Sequence, residues 1–172
     1  AREKAYKFLQ KARIAVTPSE KDNMEVADFG LNDLDHYGIE VVVYETNDRY
    51  CAKELVLFPR QICPEHYHPA VDQANIGKQE TFRCRWGEIY LYVKGEPTPK
   101  PKAIVPKGDE KFFTVWHEIV LKPGDQYMLP PHNLHWFQAG DEGAVLSEFS
   151  SANIDKKDIW TNPKIKRIPT ID

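Results

Sequence analysis

Two histidines one residue apart, His66 and His68 in the stretch Cys63-Pro64-Glu65-His66-Tyr67-His68, are where chemistry is first legible. On an extended strand, residues i and i+2 project from one face, so both imidazoles can grip a single metal ion. Twelve residues after His68 stands Glu80, and the later run Pro130-Pro131-His132-Asn133-Leu134-His135 supplies further imidazole. Lys78 and Glu80 also share a face two residues apart. If both faces look into one barrel, imidazoles, a carboxylate and an ammonium converge, and three histidines with one glutamate complete a set of protein ligands. Taken singly, His-Tyr-His reads equally as a polar surface strand, and Lys78 with Glu80 as a surface ion pair. The downstream pattern favours the site.

His132 and His135 compete for the third imidazole position. His135 is preferred because it starts a strand-like run and shares a face with Phe137, whereas His132 follows the Pro-Pro turn. The Gly140 to Gly143 segment reads as the loop of a hairpin, which would pair Ala139 with Ala144, Phe137 with Leu146, and His135 with Glu148. Glu148 would then stand beside the metal ligand among apolar neighbours, an environment that raises a carboxylate toward a useful base. A slip of one residue would turn it outward. His36 and His117 have no partner at ligand spacing. Asp72, Asn75 and Arg83 are polar enough to touch a substrate but are not ranked by the sequence.

The elements that must position these groups are mostly strands. From Arg2 to about Arg13, Ala5, Phe8, Leu9 and Ala12 recur at helical spacing among charges, which predicts an amphipathic helix laid on the outside of a sheet. Strand signals begin at Gly38 and continue as Ile39 to Tyr44, Tyr50 to Phe58, Thr81 to Trp86, Glu88 to Val93, Phe112 to Trp116, Glu118 to Leu121, Gln126 to Leu129, Leu134 to Gln138 and Ala144 to Phe149. Turn signals such as Trp86-Gly87 and Lys122-Pro123-Gly124-Asp125 separate many of them. Many short strands with one clear helix predict an all-β sandwich or barrel. The organisation expected is one domain over 1–172, with a helix and edge segments over 1–37, the barrel over 38–150 and a wrapping tail over 151–172.

Composition bounds the partners. The chain has 172 residues, enough for one sizeable core, and a net charge of −3 from 23 basic and 26 acidic residues well mixed along it. No basic stripe is available for nucleic acid. No apolar run approaches the roughly 18 residues of a membrane helix, and no secretory signal is expected at Ala1-Arg2-Glu3-Lys4. Cys51, Cys63 and Cys84 are odd in number and form no Cys-x-x-Cys pair, so they are read as small buried hydrophobes in a reducing, cytoplasmic setting.

The residues also match a family pattern. A cupin carries Gly-x5-His-x-His-x3-4-Glu-x6-Gly and then Gly-x5-Pro-x-Gly-x2-His-x3-Asn; here His66-x-His68, Glu80-x6-Gly87, Gly124-x5-Pro130 and His135 fit it. The chain departs from the pattern at Arg60 and His132, which stand where glycines belong, at Ala139 in place of asparagine, and in the long gap Pro69 to Gln79, which reads as an insertion over the barrel mouth. More narrowly, Gln61 to Pro69, the block Gly77-Lys78-Gln79-Glu80-Thr81-Phe82-Arg83-Cys84-Arg85-Trp86-Gly87, and His135-Trp136-Phe137-Gln138 resemble the cupin-type D-lyxose isomerases, from about Tyr37 to Trp160.

That resemblance implies a homodimeric jelly-roll β-barrel holding a divalent metal, usually manganese, with zinc, cobalt, iron or nickel as other candidates. It implies interconversion of D-lyxose with D-xylulose and of D-mannose with D-fructose. The positions matching the family's metal ligands are His66, His68, Glu80 and His135, and those resembling its proton-transfer residues are Lys78 and Glu148. The same ligand set would also suit an iron oxygenase, and a non-catalytic sugar-binding cupin would use the metal only to hold ligand or fold.

Overall fold

A computed structural model describes residues 1–152 and 154–167, the Asp155 side chain excepted. The predicted helix forms as α1 (Arg2–Lys11) and buries Ala5, Phe8 and Leu9. They rest on the outer face of the sheet against Val42, Val56, Phe58 and Val145. A short α2 (Pro18–Asp22) follows, started by a capping box between Thr17 and Glu20.

Among the described residues nine strands follow: β1 (Glu25–Ala27), β2 (Ile39–Thr46), β3 (Tyr50–Leu57), β4 (Ile62–Tyr67), β5 (Glu80–Val93), β6 (His117–Leu121), β7 (Gln126–Leu129), β8 (His135–Ser151) and β9 (Ile159–Trp160). The long strands β5 and β8 pair antiparallel over their whole length. The half of β8 near Ser151 pairs with β3, and the half near His135 pairs with β4. One layer therefore runs β1-β2-β3-β8-β5-β7 and the other β9-β4-β8-β5-β6, with β5 and β8 bending from one into the other. This is the all-β jelly-roll barrel with an outside helix that the sequence predicts. Its interior is apolar, with Ile39, Val41, Leu55, Leu57, Phe82, Cys84, Phe137 and Leu146 in one contiguous core.

Three expectations are corrected. Trp86-Gly87 does not separate two strands, because β5 runs through it from Glu80 to Val93 with only local register shifts. The Gly140 to Gly143 segment is no hairpin loop, because β8 passes straight through it. In place of the expected pairs, Ala139 faces Ile89, Ala144 faces Gly87 and Leu57, and Glu148 faces Lys53 and Phe82, while His135 faces His66 and Val93. Between Ala139 and Ala144 the strand carries three more residues than the two-residue step of its partner from Ile89 to Gly87, a wide bulge. The glycines serve close approach: a Cβ on Gly143 would fall on the Phe8 ring and the Leu57 carbonyl.

The run Phe112 to Trp116 is not a strand either. A single 3₁₀ turn covers Glu110–Phe112, and the aromatic residues that follow pack beside the histidine strands, where Phe113 and Trp116 lie edge-on to Trp136. The tail does return along the roll as far as residue 167; the part of the expected wrap that includes Pro169 lies outside the described residues.

At the two positions where the cupin pattern has glycine, Arg60 and His132 take a left-handed backbone, with φ of 62° and 63°. Both adopt a conformation that glycine tolerates best.

Candidate active site

Five of the six residues singled out from the sequence, His66, His68, Lys78, Glu80 and Glu148, line one cavity between the layers, and the sixth, His135, adjoins it through Glu80. His66 and His135 are direct ladder partners on β4 and β8. A register shift between Cys63 and His66 lets both residues point inward although they are three apart. His68 follows just past the end of β4. The three imidazoles offer ring nitrogens that all lie within 4.8 Å of one another, and all three residues are buried. Glu80, the first residue of β5, points Oε1 at this cluster, 3.0 Å from His68 Nε2 and 3.1 Å from His135 Nε2. Its Oε2 lies 2.7 Å from Lys78 Nζ, and the same ammonium is 2.6 Å from Glu148 Oε1. Lys78 thus bridges two carboxylates.

Hydrogen bonds fix which ring nitrogen faces the centre. His66 Nδ1 donates to the Pro64 carbonyl at 2.8 Å, His135 Nδ1 to the Asn133 carbonyl at 2.9 Å, and His68 Nδ1 lies 2.6 Å from Asp158 Oδ1. A carbonyl can only accept, so in His66 and His135 Nδ1 carries the proton and Nε2 presents a lone pair to the centre when the ring is neutral. Burial, together with the neighbouring imidazoles of His135 and His68, holds His66 well below the ordinary range and therefore neutral. For His68, burial pulls downward, but the Glu80 and Asp158 carboxylates outweigh it and raise the ring to about 9. Glu80, whose burial acts upward, is held well below the usual carboxylate range by Lys78 and His68.

His135 Nε2 is a buried atom with no hydrogen bond, although Glu80 Oε1 stands 3.1 Å away. A lone pair faces a carboxylate oxygen with no donor between them, a juxtaposition that a cation relieves. Imidazole nitrogens and one carboxylate suit a divalent first-row metal, so the donor set fits the ion that the fold family implies.

The cavity is small, about 50 Å³, and opens to solvent. Its wall is apolar at Phe29, Ile39, Val41, Leu55, Phe82 and Phe137, and polar at Lys53, Lys78, Glu80, Glu148, Asp158 and Arg167. Four polar residues here were missed from the sequence. Lys53 had a usable signal, since it shares the strand face of Leu55 and stands opposite Glu148 in the ladder. Glu65 turns the other way from its histidine neighbours and accepts from Thr114 N, Thr114 Oγ1, Val115 N and Thr161 Oγ1. Asp158 and Arg167 come from the tail, where no local pattern marks them.

The other candidates do not contribute. His132 and His36 are exposed, and His117 is tied to the Glu96 carbonyl at 3.0 Å. Arg83 is exposed and bonds Gln126. Asp72 caps its own turn through Ala74 N and Asn75 N, and neither it nor Asn75 lines the cavity. Cys51, Cys63 and Cys84 are free and buried, and burial pushes the Cys63 thiol well up, away from a thiolate ligand.

Comparison with known proteins gives a consistent result. Residues 18–172 match a family model described as D-lyxose isomerase. A D-lyxose ketol-isomerase of Thermofilum sp. (strain ex4484_79) is 64% identical over 171 residues, covering 99% of this chain and 94% of that protein. A D-lyxose/D-mannose isomerase of Thermosediminibacter oceani is 62% identical over 170 residues, covering 99% of this chain and 93% of its own. Among solved structures, the L-ribose isomerase of Acinetobacter sp. DL28 in complex with L-ribose superposes with a TM-score of 0.80 at 15% identity, covering 95% of this chain and 90% of that one. At that identity the likeness is one of fold.

Proposed function

The chain belongs to the D-lyxose isomerase family and is an aldose–ketose isomerase, and from that premise we propose that it interconverts D-lyxose with D-xylulose and D-mannose with D-fructose. His66, His68, Glu80 and His135 hold a divalent cation, manganese in the first place. When bound, the cation supplies an electrophile that polarises the sugar carbonyl.

Glu148 takes the proton from C2 of the aldose and returns it to C1, while Lys78 gives a proton to O1 and receives the one leaving O2. Atoms balance, because the sugar ends as its own isomer and both residues end as they began. The supporting observation is the single ammonium of Lys78, 2.7 Å from Glu80 and 2.6 Å from Glu148, which joins the ligand cluster to the proposed base.

An aldose panel scored for ketose formation, before and after chelation and with oxygen excluded, tests the reading. D-Lyxose and D-mannose turn over anaerobically, chelation abolishes turnover, and added Mn²⁺ restores it. Strict dependence on oxygen, or tight sugar binding with no ketose formed, would overturn it. A homodimer in the cytoplasm completes the proposal, and sedimentation checks the assembly.

A further inference from the structure

The segment after β8 makes three successive contacts to the histidine strand. Asp158 Oδ1 lies 2.6 Å from His68 Nδ1, and the side chains of both are about 7% exposed. Trp160 stacks on His66 with ring centroids 4.6 Å apart and planes 26° from parallel. Thr161 donates its hydroxyl to Glu65 Oε1 at 2.6 Å and its N–H to the Glu65 carbonyl at 3.0 Å. Ladder pairs His66 with Trp160 and Tyr67 with Ile159 run between these contacts. Residues 65, 66 and 68 are thus each held by a residue of the 158–161 strap.

We propose that this strap is part of the metal-binding apparatus: Asp158 is a positioning residue that keeps His68 Nε2 turned to the centre, and metal loading and strap docking are one linked equilibrium. The inference rests on the reading above that the imidazole cluster holds a divalent cation. A metal-ligating imidazole needs its other nitrogen anchored, and His66 and His135 use main-chain carbonyls two residues away for this. His68 alone of the three uses a group ninety residues distant in sequence. Its anchor exists only when the strap is docked. β9 is two residues long, so the ladder by itself contributes little to holding the strap. By reciprocity, whatever the strap adds to metal affinity, the metal adds to strap docking.

The test uses the full chain, stripped of metal and titrated with Co²⁺ against a chelating indicator, with the visible d–d absorption recorded. Asp158→Ala should weaken Co²⁺ binding about 10- to 100-fold and change the Co²⁺ spectrum. Asp158→Asn, which keeps an oxygen to accept the Nδ1 proton, should recover most of both. The metal-free melting temperature of Asp158→Ala should stay within about 2 °C of the parent, which separates positioning from general stability. Trypsin reads the reciprocal effect at the exposed Lys156 and Lys157: saturating Co²⁺ slows cleavage there in the parent but not in Asp158→Ala.

A variant that binds Co²⁺ within twofold of the parent, with the same spectrum, overturns the assignment. So does strap cleavage in the parent that ignores the metal. If the parent itself takes up no Co²⁺, the metal reading under Proposed function fails along with this one.

Discussion

Lys53 and Glu148 stand directly opposite each other across the β3–β8 ladder, and both line the cavity. Glu148 is therefore flanked by Lys53 as its ladder partner and by Lys78 at 2.6 Å. Two lysine side chains thus converge on one buried carboxylate.

Glu148→Gln keeps the shape of the side chain and removes its basicity. We expect kcat to fall by about two to four orders of magnitude while the metal content of the purified protein is unchanged. Turnover near the parent's would remove Glu148 as the base.

His66→Ala deletes a ligand whose Nδ1 is fixed on the Pro64 carbonyl and whose face supports Trp160. Metal analysis after dialysis should show loss of the bound ion, with activity lost in parallel. Stoichiometric, tight retention of the ion would strike His66 from the ligand set.

Glu40 offers a pH test remote from the site. Its carboxyl is fully buried, and burial, only partly offset by Gln61 and Lys4, pushes it up to about 8. The folded state then favours the protonated form. Its contribution is fully present below the ordinary carboxylate range and is lost as pH rises through about 8, with a slope approaching 1.4 kcal/mol per pH unit in between. Thermal melts from pH 5 to 9 should show the parent losing stability relative to Glu40→Gln, by a few kcal/mol at most. Parallel curves for the two proteins would refute it.

His132 is exposed and held at φ 63°. His132→Gly removes the left-handed strain but adds freedom to the unfolded chain, so its stability should stay within about 1 kcal/mol of the parent. His132→Val puts a β-branched residue there and should lose about 1–2 kcal/mol. Urea denaturation of both variants distinguishes strain from side-chain contacts, since equal losses would point to the latter.

Local patterns carried most of the roll and the ligand cluster into view, because alternation on a strand and helical spacing on α1 are decided by neighbours a few residues apart. The failures have a different origin. Gly140 and Gly143 look like turn residues, yet their missing side chains admit Tyr90 and Phe8, a requirement set by residues far off in sequence. Phe112 to Trp116 looks like a strand, but Thr114 and Val115 give their N–H groups to the Glu65 carboxylate. Asp158 reaches His68 only because β9 lies against β4. Glu148 was expected inside the barrel through a hairpin; the cavity does receive it, by another route.

That route is the wide bulge between Ala139 and Ala144. His135 and Glu148 are an odd number of residues apart, so a regular strand would send their side chains to opposite faces, and the uneven count cancels the mismatch. A glycine-rich stretch that invites insertions and deletions is therefore a place where length is arithmetic. Shortening it by a single residue should leave the imidazoles gathered while swinging the acid out to solvent, giving a protein that still loads its ion and no longer turns over sugar.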